Sequence, residues 1–128
     1  MYRKIGEEFI ADDFAHEQSV VFETGKGLVI FNSCSHGGIV NIVREVQMAL
    51  GGQKVYAVVG GFHMMKLSGM DTLAIPEEEV VETAQELKGL GVEEIYTGHC
   101  TGNIAFGILK KELGEMVHAL GTGETVVF

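Results

Sequence analysis

Positive charge is scarce. The chain carries 9 Lys and Arg against 18 Asp and Glu, a formal charge of −9 at pH 7. Binding a phosphate backbone needs clustered Lys and Arg, so nucleic acid is not an expected partner. A small anionic substrate held by a metal is still allowed. Proline occurs once, so the 18 glycines are not those of a disordered linker. They fall at strand–helix junctions, where positive φ or close backbone approach is needed. No run of 18 apolar residues occurs, so no transmembrane span or membrane partner is expected. Cysteine occurs only twice, at positions 34 and 100, each close to a histidine. That is not a disulfide framework. The first residues, Met1 to Glu8, lack the apolar stretch of a signal peptide. A reduced, cytoplasmic setting is therefore the expectation. Nucleophile-elbow, P-loop and dinucleotide fingerprints are missing. The absence of C-x-x-C argues against a thiol-redox protein built on Cys34 and Cys100.

What is present fits one α/β domain spanning 1–128. Its length of 128 residues and 46% hydrophobic content suffice for a buried core. The chain is organised around Gly27 to Val40, an apolar strand that stops at Cys34 and His36 and passes through two glycines into a helix. Before it, Val20 to Glu23 reads as a strand joined to Leu28–Asn32 by the turn Thr24-Gly-Lys-Gly27, a β-hairpin. The second of these strands is apolar on both faces and should be central. Residues 1–17 read as mixed and polar, with a short apolar patch at Phe9-Ile10. Apolar positions from Ile39 to Ala49 fit one helical face, closed by Gly51-Gly52. Lys54 to Val59 is a buried strand ending in Gly60-Gly-Phe-His63. Pro76 suits a first helical position, with Glu77 to Glu79 at the positive end of the dipole. Val92 to Tyr96 is a further strand. Thr101 is placed to cap a third helix. The tail reads as a hairpin turned at Gly121 to Gly123.

Two strand ends carry both thiol and imidazole: Cys34 with His36, and His99 with Cys100. Zinc takes such ligands, and loops at strand ends bring them together from distant positions. Spacing alone leaves a second reading open, in which these are polar strand ends near helix N-termini that cap or bind an anion. His63 falls on the same edge if the sheet is parallel there, as a surface or ligand-supporting histidine. His16, among acidic residues, reads alone as a surface histidine. Nothing recommends His118.

Four motifs in order also carry a resemblance. They are His16-Glu-Gln-Ser-Val-Val-Phe; Gly27 through Cys34-Ser-His36-Gly-Gly-Ile-Val-Asn; Val59-Gly-Gly-Phe-His63; and Tyr96-Thr-Gly-His99-Cys-Thr-Gly. Together they resemble the C-terminal half of a metallo-β-lactamase superfamily protein of the ribofuranosylaminobenzene-phosphate synthase-like group. The resemblance implies half of an αββα sandwich: one mixed sheet with about three helices. It implies a metal, zinc or another divalent transition metal, at one edge. His99 resembles the last metal-binding histidine. The Cys34–His36 segment falls where the superfamily has a bridging Asp or Cys, and either residue could be the ligand. His16 lies where other branches carry a third-motif histidine. His63, Cys100 and Thr101 are expected to contact substrate or support the ligands. The implied activity is metal-dependent hydrolysis of an ester or phosphoester.

The main metal motif of that superfamily, H-x-H-x-D-H, does not occur in these 128 residues. The chain therefore reads as the second half of the fold with an incomplete site. The alternative is a self-associating half-domain without turnover. Half a sandwich leaves an apolar sheet face bare, which water disfavours. A homodimer packed sheet on sheet would cover it.

Overall fold

The computed structural model describes residues 2–128. A two-stranded hairpin, β1 (Tyr2–Ile5) and β2 (Glu8–Ala11), precedes the main body. Residues 1–17, which the sequence marks only as mixed and polar, thus hold a strand pair. The alternation Tyr2/Lys4 against Phe9/Ala11 is short, and the strands pair only with each other. Then follow β3 (Ser19–Thr24), β4 (Gly27–Cys34), α1 (Ile39–Ala49), β5 (Val55–Gly61), α2 (Glu77–Gly89), β6 (Glu94–Thr97), α3 (Asn103–Leu113) and β7 (Val117–Ala119). Among the described residues, no helix is long and apolar enough to cross a membrane.

The five-stranded sheet runs β3-β4-β5-β6-β7, in sequence order. β3 pairs antiparallel with β4 through the expected turn, and β4 to β7 are all parallel. The tail therefore contains no hairpin. After α3 the chain enters β7 in the same direction as β6, because a helix crossover returns it to the starting end of the sheet. Pro76 lies one residue before α2 and α3 begins after Gly102, so Thr101 caps nothing.

Parallel strands in sequential order, joined by right-handed crossovers, must carry their helices on one side. Leu28, Ile30, Val55, Val58, Ile95 and Val117 point to that side. They meet Val43, Val80, Ala84, Leu87, Ala105 and Leu109 in the main core. All three helices are apolar on the face they turn to the sheet.

The opposite face is also apolar but thinly covered. Val29, Ala57 and Val59 are buried there against Phe31, Tyr56, Tyr96, Leu120 and Phe128. Phe128 comes from the irregular C-terminal segment and meets Phe31 and Tyr96 edge-on. Val20 and Phe22, opposite Phe31 and Val29 in the register, stay 56% and 57% exposed. Three helices and one mixed five-stranded sheet agree with the expected architecture, and the second face is covered in part, leaving Val20 and Phe22 exposed.

Candidate metal centre

β4, β5 and β6 end on the same edge because they are parallel, and that edge holds the polar groups. β4 stops at Cys34, whose register partner is Gly61 of β5. β6 stops at Thr97, and a single 3-10 turn follows at His99–Thr101. Gly60 has φ 147 and a Cβ there would run into the Asn32 carbonyl. A Cβ on Gly61 would meet Cys100 Sγ at 2.5 Å. Lacking side chains, these glycines let Asn32 and Cys100 close over the end of β5.

The chain leaving β5 is bonded to the 3-10 turn residue by residue. Phe62 N–H donates to Thr101 Oγ1 at 2.9 Å, and His63 N–H to Cys100 Sγ at 3.3 Å. Met64 and Met65 N–H both donate to the Cys100 carbonyl, at 2.9 and 3.1 Å. Thr97 Oγ1 donates to the Gly60 carbonyl at 2.7 Å and lies 2.6 Å from Thr101 Oγ1. The single Thr97 hydroxyl proton is already given to Gly60, so Thr101 donates to Thr97. Both threonines are fully buried, and every one of these bonds replaces water that cannot enter.

His63 and His99 have φ of 53° and 49°. Non-glycine residues rarely adopt this left-handed conformation, and it gathers at functional sites. The outcome is a close group of ligand types. Cys34 Sγ, a His63 ring nitrogen and Cys100 Sγ all lie within 4.8 Å of one another. Cys34 Sγ is 3.3 Å from His63 Nδ1 and 2.6 Å from Cys100 Sγ. Cys34 borders a hollow of about 810 Å³ and His63 one of about 420 Å³.

His36 stands beside this group, its ring 4.3 Å from that of His63 in an edge arrangement. Glu17, which sequence reasoning passed over, fixes it. Its carboxylate accepts from the N–H groups of His36 and Gly37, at 2.5 and 2.9 Å, and lies 3.3 Å from His36 Nδ1. A lone Glu beside His16 carries no motif; only the closing of residues 17 and 36 reveals it. His99 is exposed and outside the three-residue group. His16 is likewise exposed, 3.6 Å from Asp12. Thr101 serves as an internal acceptor behind the group.

Two thiols and one imidazole form a donor set known for catalytic zinc, with a fourth position left open. The chemistry fits a soft divalent metal. Cys34, His63 and Cys100 would hold it, the two thiols as thiolates and His63 through a ring nitrogen. Burial and the adjacent Cys100 thiol push the Cys34 pKa up to about 12. Burial and the neighbouring His36 lower that of His63.

In fold, the chain is similar to part of a metallo-β-lactamase superfamily protein. No family model matches the chain. The chain is 36% identical, over its full 128 residues, to the 7,8-dihydropterin-6-methyl-4-(β-D-ribofuranosyl)-aminobenzene-5′-phosphate synthase of Methanocaldococcus jannaschii. It spans 41% of that protein's length. A solved structure of a metal-dependent hydrolase of the β-lactamase superfamily superposes with a TM-score of 0.85 at 30% identity. That match covers 99% of this chain and 46% of the other. The resemblance read from the four motifs thus holds over the whole chain, for the fold and for the synthase-like group.

The thiol shift has a consequence for stability. Between pH 9 and about 12 an unfolded Cys34 loses its proton while the folded one keeps it. The folded state then binds more protons, so stability of the metal-free chain falls as pH rises through this window. Chemical denaturation of wild type and Cys34→Ser at several pH values should give curves that diverge above pH 9, the wild type losing more. Parallel curves would assign the shift to another cause.

Proposed function

We propose that this chain is the metal-holding half of a metallo-β-lactamase-type hydrolase acting on an ester or phosphoester, with the metal held by Cys34, His63 and Cys100. The observation that carries the reading is the convergence of these three ligand types at the ends of three adjacent parallel strands. A bound divalent metal supplies Lewis acidity, polarising the scissile group's oxygen and acidifying a bound water. The chain's own residues do the rest of the positioning. His36, steadied by Glu17, lies against the His63 ring and faces the smaller hollow with it. Neutral His63 keeps a nitrogen lone pair for the ligand role because its pKa is lowered.

A second reading, a half-domain without turnover on its own, has a specific observation in its favour. Glu17, the carboxylate nearest this loop, is engaged by two backbone N–H groups. It is not free to act as a general base. Both readings share the metal. Metal analysis of protein purified without added zinc should give close to one transition-metal ion per chain. Trace metal only would overturn the reading.

Completion comes from a second copy of the chain. Val20, Phe22, Phe31 and Phe128 form an apolar strip on the helix-free sheet face, beside edge strand β3. The matching synthase and the matching hydrolase structure are both more than twice as long as the part this chain covers. Two-fold pairing would set one strip against another, since an isologous contact matches a patch to itself. Gel filtration at micromolar concentration should give a dimer, and Phe22→Asp should convert it to monomer with unchanged circular dichroism. A stable wild-type monomer would contradict the pairing.

A further inference from the structure

Cys34 and Cys100 are 66 positions apart in sequence, yet their free thiols stand 2.6 Å apart. The approach is a product of the backbone. Gly61 pairs with Cys34 and leaves the space that Cys100 Sγ fills. The Cys100 carbonyl is held by two N–H groups of the next loop. The two sulfurs lie side by side, close enough to be joined at the roughly 2.05 Å of a disulfide by small side-chain movements, and one pair of side chains cannot be joined to each other and ligate a metal at once. The two cysteines also differ in access. Cys34 is half-buried and borders the large hollow, while Cys100 is 5% exposed. An outer sulfur open to attack and an inner one placed to resolve it are the arrangement of a redox-active pair.

We propose that Cys34 and Cys100 form a reversible intramolecular disulfide on exposure to peroxide. Once deprotonated, Cys34 Sγ attacks one oxygen of hydrogen peroxide and the O–O bond breaks. One water leaves with the Cys34 proton, and Cys34 becomes a sulfenic acid. Cys100 Sγ then attacks the Cys34 sulfur. The S–S bond forms, and the sulfenic hydroxyl leaves as a second water with the Cys100 proton. Two thiols give up two electrons, and one peroxide becomes two waters. A dithiol reductant reverses the change. The consequence is that oxidation removes two of the three groups that hold metal. That consequence rests on the metal reading above; the disulfide itself does not.

The test treats metal-free full-length chain with one equivalent of hydrogen peroxide. Intact mass and thiol counting follow, and then zinc titration before oxidation, after it, and after dithiothreitol. The expected result is loss of two hydrogens, loss of both thiols and loss of zinc binding, all restored by dithiothreitol. Cys34→Ser and Cys100→Ser should each keep one thiol and form no internal crosslink. Added oxygens on a single cysteine, or a crosslink between two chains, would overturn the proposal. A disulfide that forms in a chain whose reduced state binds no zinc supports the redox pair and overturns the metal site instead.

Discussion

Four successive backbone N–H groups, from Phe62 to Met65, donate to Thr101 and Cys100. The rest of the site depends on this short ladder. It ties the exit of β5 to the turn after β6, where parallel strands alone would leave two loose loops. Following it, the chain must take a left-handed step at His63, which brings the imidazole back toward Cys34. It also presents Cys100 Sγ over Gly61 rather than toward solvent. Each N–H in the ladder has its partner, so opening it would leave buried donors at a cost of about 1–3 kcal/mol apiece. Two hydroxyls, Thr97 and Thr101, complete the ladder from inside the sheet.

The same topology makes the site and exposes the surface that the site's protein must cover. Strands β4, β5 and β6 run in one direction, so their ends gather Cys34, His63 and Cys100 on one edge. Their crossovers put every helix on one side, so the other face keeps Val20 and Phe22 in water. The C-terminal segment shields only part of it, through Phe128. A chemically provided edge and an uncovered face are therefore two results of a single cause. The chain spans 41% of the length of the matching curated protein and 46% of that of the matching solved structure.

Much of this was legible in the sequence. Apolar strands followed closely by glycine and by Cys or His marked all three strand ends, with the glycines after Cys34 and His36 at β4 and before the histidine at β5 and β6. The motif resemblance supplied the fold. The choice among histidines was not legible. His36, His63 and His99 all follow or adjoin strand ends, and spacing does not say which ring turns inward. The resemblance favoured His99 and His36; the backbone ladder brings His63 to the thiols, sets His36 beside it and leaves His99 exposed. Glu17 was hidden because its partners are backbone N–H groups, which no side-chain pattern encodes. The tail failed for a different reason. Val117 to Ala119 alternates as either a hairpin arm or a parallel edge strand would, and only packing of α3 against the sheet decides. Thr101 looked like a cap by its position before a helix, but its hydroxyl is taken by Phe62 and Thr97 inside the fold.

The proposed metal group is Cys34, His63 and Cys100, without His99 or His16. Cobalt titration of the reduced chain reads it directly, because thiolate coordination gives the metal a charge-transfer band. The account predicts the band in wild type, His16→Ala and His99→Ala. It predicts loss or strong weakening in Cys34→Ser, Cys100→Ser and His63→Ala, each still folded by circular dichroism. A band that survives His63→Ala and disappears in His99→Ala would contradict it.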